Sequence, residues 1–152
     1  KRTKDSRTSG GRGRWNYRRV RPVRAGAAFA GSGALGLESA SRGAASVVCL
    51  ETDQRCVTAL QDHCREWGAL QVEVVRADAL RWLAATRPST SAPFDLVFLD
   101  PPFDADLWSP VAQRLEAGGW LSSQAFVYLE SPLRVLSPSA TDLEAVARGQ
   151  SG

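Results

Sequence analysis

The residues with the most distinctive chemistry lie in FDLVFLDPPF, where an acid, two prolines and an aromatic ring follow a run of strand-forming residues. Proline has no amide hydrogen and keeps the residue before it extended, so Asp100 and the carbonyl of Pro101 are acceptors with few donors nearby. An aromatic amine needs such acceptors, because its lone pair is delocalised into the ring and must be localised before it attacks a methyl carbon. We therefore expect Asp100, Pro101, Pro102 and Phe103 to form a reactive corner, with Phe103 stacked on a nucleobase. A strand exit that only ends the sheet would explain the prolines alone.

A second motif is FAGSGALGLE, in which Gly31, Gly33 and Gly36 form G-x-G-x-x-G. Glycine lets the backbone approach a ligand closely and lets the following helix pack tightly on a sheet. Glu51 follows 20 residues after Gly31, at the tip of the next predicted strand. Its carboxylate is expected to accept hydrogen bonds from both hydroxyls of a ribose. Nicotinamide-binding and S-adenosylmethionine-binding domains share this pattern, and a plain strand-to-helix turn would also produce it.

A third position of interest is Asp78, in VVRADAL. Beside the amide of Ala79, its carboxylate is placed to hold the exocyclic amine of an adenine. The same residue type also begins helices, so a helix cap is the alternative.

Short apolar segments and amphipathic segments alternate from about residue 25 onward, which predicts alternating strands and helices. Apolar strands separated by helices indicate an α/β fold of the Rossmann-like, doubly wound type, with a mostly parallel sheet covered on both faces. In that fold ligands bind at the carboxyl ends of the strands, where the three motifs fall. The predicted strands are 46–50, 72–75, 94–99 and 125–129, and the predicted helices are 53–67, 79–85 and 109–116.

Two of these helices carry recognisable end signals. Asp53 is a predicted N-cap with Gly68 as the stop, and Val57, Leu60 and Cys64 are expected on one helical face. The last helix is predicted to start with Ser109 as N-cap and proline in the first helical position, and to end at the Gly-Gly pair 118–119.

Charge divides the chain into a basic arm and an acidic body. Residues 1–24 contain ten Lys or Arg and one acid, whereas the remaining residues contain nine basic and fifteen acidic side chains. We expect the arm to be disordered or loosely docked, because it cannot bury enough apolar surface to fold alone. Arginine suits phosphates and aromatic rings stack on unpaired bases, so the arm is expected to bind RNA, although a solvated tail has the same composition. The candidate RNA-binding residues are Arg12, Arg14, Trp15, Tyr17, Arg18 and Arg19.

Composition argues against several classes of protein. No apolar run approaches the roughly 20 residues of a membrane span, and the chain has no secretory leader pattern, so a cytoplasmic location is expected. Cys49, Cys56, Cys64 and His63 have neither metal-ligand spacing nor a nucleophile–base pattern, so we expect structural roles for them and no metal. The chain lacks methionine even at position 1, which suggests a fragment or trimmed product.

Taken in order, FAGSGALGLE, LETD, RADAL and LVFLDPPF resemble the RsmD-type family. These bacterial methyltransferases modify the exocyclic N2 of a guanine in small-subunit ribosomal RNA. The resemblance extends from about Phe29 to about Ser131. It implies a methyltransferase domain at 25–131, and the charge and sequence patterns outside it indicate a basic arm at 1–24 and an irregular tail at 132–152.

The resemblance also implies a cofactor, a substrate and a site. S-adenosylmethionine would lie over the glycine turn, with its ribose on Glu51, its adenine near Asp78 and its methyl group aimed at Asp100. The partner would be small-subunit ribosomal RNA or the assembling small subunit, and the protein would act as a monomer without metal or membrane. The implied cofactor-binding residues are Phe29, Ala30, Gly31, Ser32, Gly33, Glu51, Thr52, Asp78 and Ala79.

The chain departs from the family pattern in two regions. The family has an apolar first strand with an acid two positions before the Phe of FAGSG, whereas this chain has Ala27 there and RPVRAGA reads as a poor strand. The tail after Ser131 shows no convincing strand. We therefore expect an incomplete sheet and weaker cofactor binding than in an intact relative. An adenine-N6 methyltransferase, an impaired RNA-binding remnant and a nicotinamide-dependent oxidoreductase remain as alternatives.

Overall fold

The computed structural model describes residues 22–102 and 106–129. Strands and helices alternate strictly along this part of the chain. In chain order the elements are β1 (Arg24–Ala28), α1 (Ala34–Ser41), β2 (Ser46–Glu51), α2 (Gln54–Glu66), β3 (Val72–Arg76), α3 (Ala79–Ala84), β4 (Phe94–Leu99), α4 (Trp108–Ala117) and β5 (Leu121–Leu129).

The strands form one parallel sheet in the order β3-β2-β1-β4-β5. The chain builds one half of the sheet outward from β1 and then returns to the other side of β1 to build the second half. The strand order therefore reverses between β1 and β4, which is where doubly wound folds bind ligands. The predicted fold class is confirmed.

Two apolar clusters cover the two faces of the sheet. One face packs against α3 and α4 and includes Leu83, Val97, Leu99 and Val111. The other packs against α1 and α2 and includes small or medium side chains such as Leu60. Strands buried on both faces must be apolar at successive positions, which explains the nearly uninterrupted apolar runs in the sequence.

The expectation that RPVRAGA makes a poor strand is wrong. Residues 24–28 form β1, the central strand, with Ala25 unexposed and Ala27 and Ala28 almost fully buried. Alanine and glycine have low strand propensity, but here both edges of the strand are paired, to β2 and to β4. Ladder hydrogen bonds and burial on both faces override the local preference. The lack of a side chain at Gly26 also leaves room for the Phe94 ring, because a Cβ at this position would lie 3.2 Å from that ring.

Most predicted element ends are within one residue of the observed ends, but α4 starts differently. Its N-cap is Leu107, without a side-chain cap bond, so Ser109 is not the cap. Pro110 is the third helical residue rather than the first, and it costs no hydrogen bond because the first helical bond runs from the Val111 N–H to the Leu107 carbonyl, at 3.1 Å. The last strand also begins earlier than predicted, at Leu121, where its register with β4 is irregular.

A polar group fixes the amino-terminal ends of three strands. The carboxylate of Asp95, which is buried, accepts the Arg24 N–H at 3.1 Å and the Ser122 hydroxyl at 2.9 Å. The Arg24 guanidinium lies 4.8 Å from the centre of the Phe94 ring, and burial lowers the pKa of this arginine. These contacts join the amino ends of β1, β4 and β5. The sequence motifs lie at the opposite, carboxyl ends of the strands.

Within the described residues, no helix has the length and apolar character needed to cross a membrane.

Candidate active site

The glycine turn between β1 and α1 has an unusual backbone. Phe29, Gly31 and Gly33 all have positive φ, of 68°, 54° and 77°, and Phe29 is the one non-glycine residue of the described chain in this conformation. This conformation is unfavourable for an L-residue with a bulky side chain, and it persists where contacts with the surrounding structure hold the residue in it. The Phe29 side chain is held against the apolar cluster on the α3/α4 face.

The three glycines of the motif serve different purposes. A Cβ at Gly33 would lie 2.2 Å from Leu60 Cδ1, and one at Gly36 would lie 2.5 Å from Cys49 Sγ, so both positions exclude side chains to let α1 pack closely. Apart from its chain neighbours, no heavy atom of residues 22–102 and 106–129 lies within 4 Å of the Cβ position at Gly31, so this side of the turn is open among the described residues. A ligand can approach the backbone at Gly31, whereas Gly33 and Gly36 support the packing that the sequence predicted.

Glu51 ends β2 and holds this turn in place. Its Oε2 accepts the Gly31 N–H at 2.7 Å, and its Oε1 accepts the N–H groups of Thr52 at 2.8 Å and Asp53 at 2.9 Å. The Ala30 N–H donates to the Leu50 carbonyl at 2.8 Å, so two successive amides of the turn bond to the end of β2. Glu51 thus stands at the glycine turn as the sequence predicted, although its carboxylate already accepts backbone donors.

Asp78 lies one strand farther along the same edge. It is the N-cap of α3, with Oδ1 accepting the Arg81 N–H at 2.9 Å. The side chain is exposed, and the next residue, Ala79, is buried. The Ala77 N–H donates to the Glu51 carbonyl at 3.0 Å, which ties this loop to the end of β2. The helix-cap alternative is confirmed, and a contact with an adenine stays a prediction.

The corner that follows β4 lies beside the glycine turn. Ala28 and Leu99, the last residues of β1 and β4, are paired in the parallel register. Phe29 and Asp100 follow them, so both lie at the carboxyl ends of neighbouring strands. Asp100 and Pro102 are exposed, whereas Pro101 is buried. An exposed carboxylate on an extended, donor-poor backbone next to an open glycine turn can accept hydrogen bonds from an amine presented there.

Several candidate residues cannot be placed in this arrangement. Phe103 lies outside the described residues, as do all six candidate RNA-binding residues of the arm. Ser32 and Thr52, both in the cofactor set, are exposed at the edge of the site. The described part of the site therefore comprises the glycine turn, Glu51, the Asp78 loop and the first three residues of the reactive corner.

Ala27 occupies the position at which the family resemblance implies an acid. It pairs with Cys49 on one side and Phe98 on the other, and its side chain belongs to the apolar cluster on the α1/α2 face. It is 4% exposed. No carboxylate reaches the glycine turn from this position.

Cys49 is buried, and Cys56 and Cys64 are partly buried on α2. Burial raises the pKa of Cys49 to about 12, and burial also raises the pKa of Cys64, so neither thiol is poised to form a thiolate nucleophile. His63 is exposed and stacks on the Trp67 ring, with centroids 5.3 Å apart. No cluster of three metal-binding side chains occurs in the described ranges.

Sequence reasoning missed two features of this site. The positive φ of Phe29 left no sign in the sequence, since Phe is not a residue that favours this conformation. The hydrogen bond from Gly31 to Glu51 was also missed, although the spacing of 20 residues had placed both at one edge. That bond could have been anticipated, because the N–H groups of a tight turn need acceptors.

Comparison with known proteins places this chain in a family. The family model described as Conserved hypothetical protein 95 matches residues 15–152. The chain belongs to this family. Among the curated relatives, the Ribosomal RNA small subunit methyltransferase D of Buchnera aphidicola (strain APS) is 34% identical over 76% of this chain and 59% of its own length. The protein of the same name from Escherichia coli K12 is 39% identical over 68% of this chain and 50% of its own.

Solved structures agree with this family membership. A Haemophilus influenzae chain titled as a candidate methylase superposes with a TM-score of 0.69 at 32% identity, covering 77% of this chain and 74% of that one. An Escherichia coli chain titled as a candidate methyltransferase gives a TM-score of 0.64 at 35% identity, covering 69% and 56%. The resemblance to the RsmD-type family is confirmed, and the fold is the class I methyltransferase fold. The chain spans about half to three-fifths of the length of these curated relatives.

Proposed function

We propose that the chain is the catalytic part of an S-adenosylmethionine-dependent methyltransferase that acts on the exocyclic N2 amine of a guanine in small-subunit ribosomal RNA. The observation that carries the proposal is the register of Ala28 with Leu99, which sets the open glycine turn beside the Asp100 corner. Methyl transfer needs a donor site and an amine site close to each other, and the proposal assigns these to the glycine turn and to the Asp100 corner, which follow neighbouring strands. Family membership supports the reaction class, because the curated relatives are named as methyltransferases of small-subunit ribosomal RNA.

The described residues fit such a cofactor. The space at Gly31 would admit a ligand against the backbone. Glu51 ends β2 and Asp78 lies in the loop after β3, where a ribose and an adenine amine would need acceptors. Phe29, Ala30, Ser32, Gly33, Thr52 and Ala79 would line the same groove. When bound, S-adenosylmethionine supplies a methyl group activated by its sulfonium.

The amine would be held by Asp100 and the carbonyl of Pro101. Two acceptors orient the N–H bonds and leave the nitrogen lone pair directed at the methyl group. The carboxylate also stabilises the positive charge that develops on the nitrogen during attack. Pro102 keeps the corner extended, and Phe103 would stack on a guanine turned out of its helix. The arm residues Arg12, Arg14, Trp15, Tyr17, Arg18 and Arg19 would contact the RNA backbone and its unpaired bases.

The proposal includes a setting for the reaction. The substrate would be the small-subunit RNA or the assembling subunit, which places the reaction in the cytoplasm with the ribosomal particles. The protein would act as a monomer and without a metal, since Asp100 and the backbone supply the acceptors.

The test is methyl transfer from labelled S-adenosylmethionine to small-subunit particles that lack the modification. We expect Asp100→Asn to lower the rate by about 10²-fold or more, because the amide loses the charge and one acceptor. Asp62→Asn, the same change on the surface of α2 away from the site, should retain the wild-type rate. If the Asp100→Asn variant transfers methyl groups at the wild-type rate, the proposed role of Asp100 is wrong.

The modified nucleoside decides the substrate. Digestion of the product RNA should give N2-methylguanosine. Recovery of N6-methyladenosine would support the adenine-N6 alternative, and no transfer by the wild-type chain, with RNA binding retained, would support the impaired remnant. Binding of NADH in preference to S-adenosylhomocysteine in a thermal-shift measurement would favour the oxidoreductase.

A further inference from the structure

Glu51 accepts hydrogen bonds from two loops, which a ribose-binding role alone does not require. Its two carboxylate oxygens accept three backbone N–H groups, from Gly31 on one loop and from Thr52 and Asp53 on the next. The bond to Gly31 is the shortest of the three, at 2.7 Å, and joins residues 20 apart in the chain. Hydrogen bonds to a carboxylate are stronger than those between neutral groups, so one side chain holds the two loops together.

The backbone of the turn explains why it needs such an acceptor. Phe29, Gly31 and Gly33 all have positive φ, so the backbone of the turn leaves regular strand geometry, while the Ala30 N–H still donates to the Leu50 carbonyl of β2. The Gly33 N–H donates to the Ala30 carbonyl at 2.7 Å within the turn, whereas the Gly31 N–H donates to Glu51. Leaving this part-buried amide without an acceptor would cost free energy, so the carboxylate favours this shape of the turn over others.

We propose that Glu51 is a positioning residue that sets the shape of the glycine turn for the cofactor, separately from any contact with the ribose. This inference rests on the proposed function for the identity of the ligand. A carboxylate offers about four lone-pair sites. Here it accepts three backbone N–H groups, and the Thr52 hydroxyl lies 3.5 Å from Oε1, so a ribose with two hydroxyls must share an oxygen with one of these donors or displace it. The shape of the turn and the affinity for the ribose are therefore coupled through one side chain.

Glu51→Gln tests the proposal with little change in size. The amide keeps one acceptor oxygen but places an NH₂ group against backbone donors on its other side, so it cannot serve both loops. Two ligands are compared by calorimetry: S-adenosylhomocysteine and its derivative that lacks both ribose hydroxyls. We expect the substitution to weaken binding of both ligands by about tenfold or more, because the turn that both ligands contact is altered.

A second measurement reports the turn without any ligand. The Gly31 amide signal in the ¹⁵N-labelled protein should shift, and its hydrogen should exchange faster, in Glu51→Gln. Glu38→Gln, the same chemical change at an exposed residue of α1 that pairs with Arg42, should leave the signal and both affinities unchanged. If Glu51→Gln fails to fold, Glu51→Asp is used with the same readouts and the same expected losses, since a shorter side chain cannot reach both loops.

The outcomes separate this inference from the proposed function. If the variant binds the hydroxyl-free ligand as well as the wild type does and the Gly31 signal is unchanged, Glu51 acts on the ribose alone and the inference is wrong. If the wild-type chain binds neither ligand, the proposed function fails, and the role of Glu51 toward a cofactor fails with it. The ligand-free Gly31 signal still decides in that case whether Glu51 holds the turn.

Discussion

Gly33 and Gly43 share a left-handed backbone but differ in their surroundings. Their φ angles are 77° and 94°, yet a Cβ at Gly33 would meet Leu60 at 2.2 Å, whereas the Cβ position at Gly43 has no heavy atom within 4 Å. The sequence motif therefore combines two constraints at Gly33, one on conformation and one on space. At Gly43, only the first applies.

This difference predicts unequal losses of stability. Gly43→Ala should lower the free energy of unfolding by about 1–2 kcal/mol, the cost of a left-handed L-residue. Gly33→Ala should cost about 1–3 kcal/mol more, because the methyl group also forces Leu60 or α1 to move. Denaturant unfolding of the two variants measures both values. Equal losses would show that the contact with Leu60 is relieved without cost.

At the scale of the element, α2 shows how local signals place a helix beside the site. Asp53 caps it by accepting the N–H groups of Arg55 at 2.8 Å and Cys56 at 3.4 Å. Val57 and Leu60 bury the face predicted for them, and Cys64 is partly buried on the same side. The N-cap Asp53 and Glu51, the last residue of β2, lie in the same loop. The residue that begins the helix therefore also helps to position Glu51.

The cap predicts a dependence of stability on pH. Three hydrogen bonds lower the pKa of Asp53. In order of effect, the donors are the Arg55 backbone, the Arg55 side chain and the Cys56 backbone. A carboxyl whose pKa is lower in the folded state stabilises the fold above its unfolded pKa, about 3.9, and loses this contribution as pH falls through the folded value. Asp53→Asn should therefore flatten the fall in melting temperature on acidification below about pH 4. If the melting temperature of the variant falls with pH as steeply as that of the wild type, the charged cap does not have this role.

At the scale of the whole molecule, the sheet order decides where the chemistry lies. The reversal between β1 and β4 places the two motifs that are farthest apart in the sequence, at Phe29 and Asp100, on adjacent strands. The same order leaves Ala27 in the core of the α1/α2 face rather than at the site. The chain thus brings the glycine turn and the Asp100 corner together but lacks the acid that the family resemblance implies at position 27.

The absence of that acid predicts weaker cofactor binding. The resemblance implies that the acid lies near the methionyl amine of the cofactor, so its loss removes an attraction for a cation. Calorimetry with S-adenosylhomocysteine should give a higher dissociation constant for this chain than for the full-length Escherichia coli relative. Equal affinity in the two proteins would refute this prediction.

The sequence alone predicted the alternation of strands and helices from β2 onward, the fold class and the end of the sheet at which the motifs meet. These features follow from periodicity, caps and glycine spacing, which act over a few residues. Tertiary structure decided that RPVRAGA forms the central strand, that α4 starts at Trp108, and that Glu51 accepts the Gly31 amide. Each of these depends on partners distant in the chain: strand neighbours on both edges, the packing of a helix on the sheet, and an amide 20 residues away. Local preference is weak compared with paired backbone groups and buried side chains, and those contacts exist only once the sheet has formed.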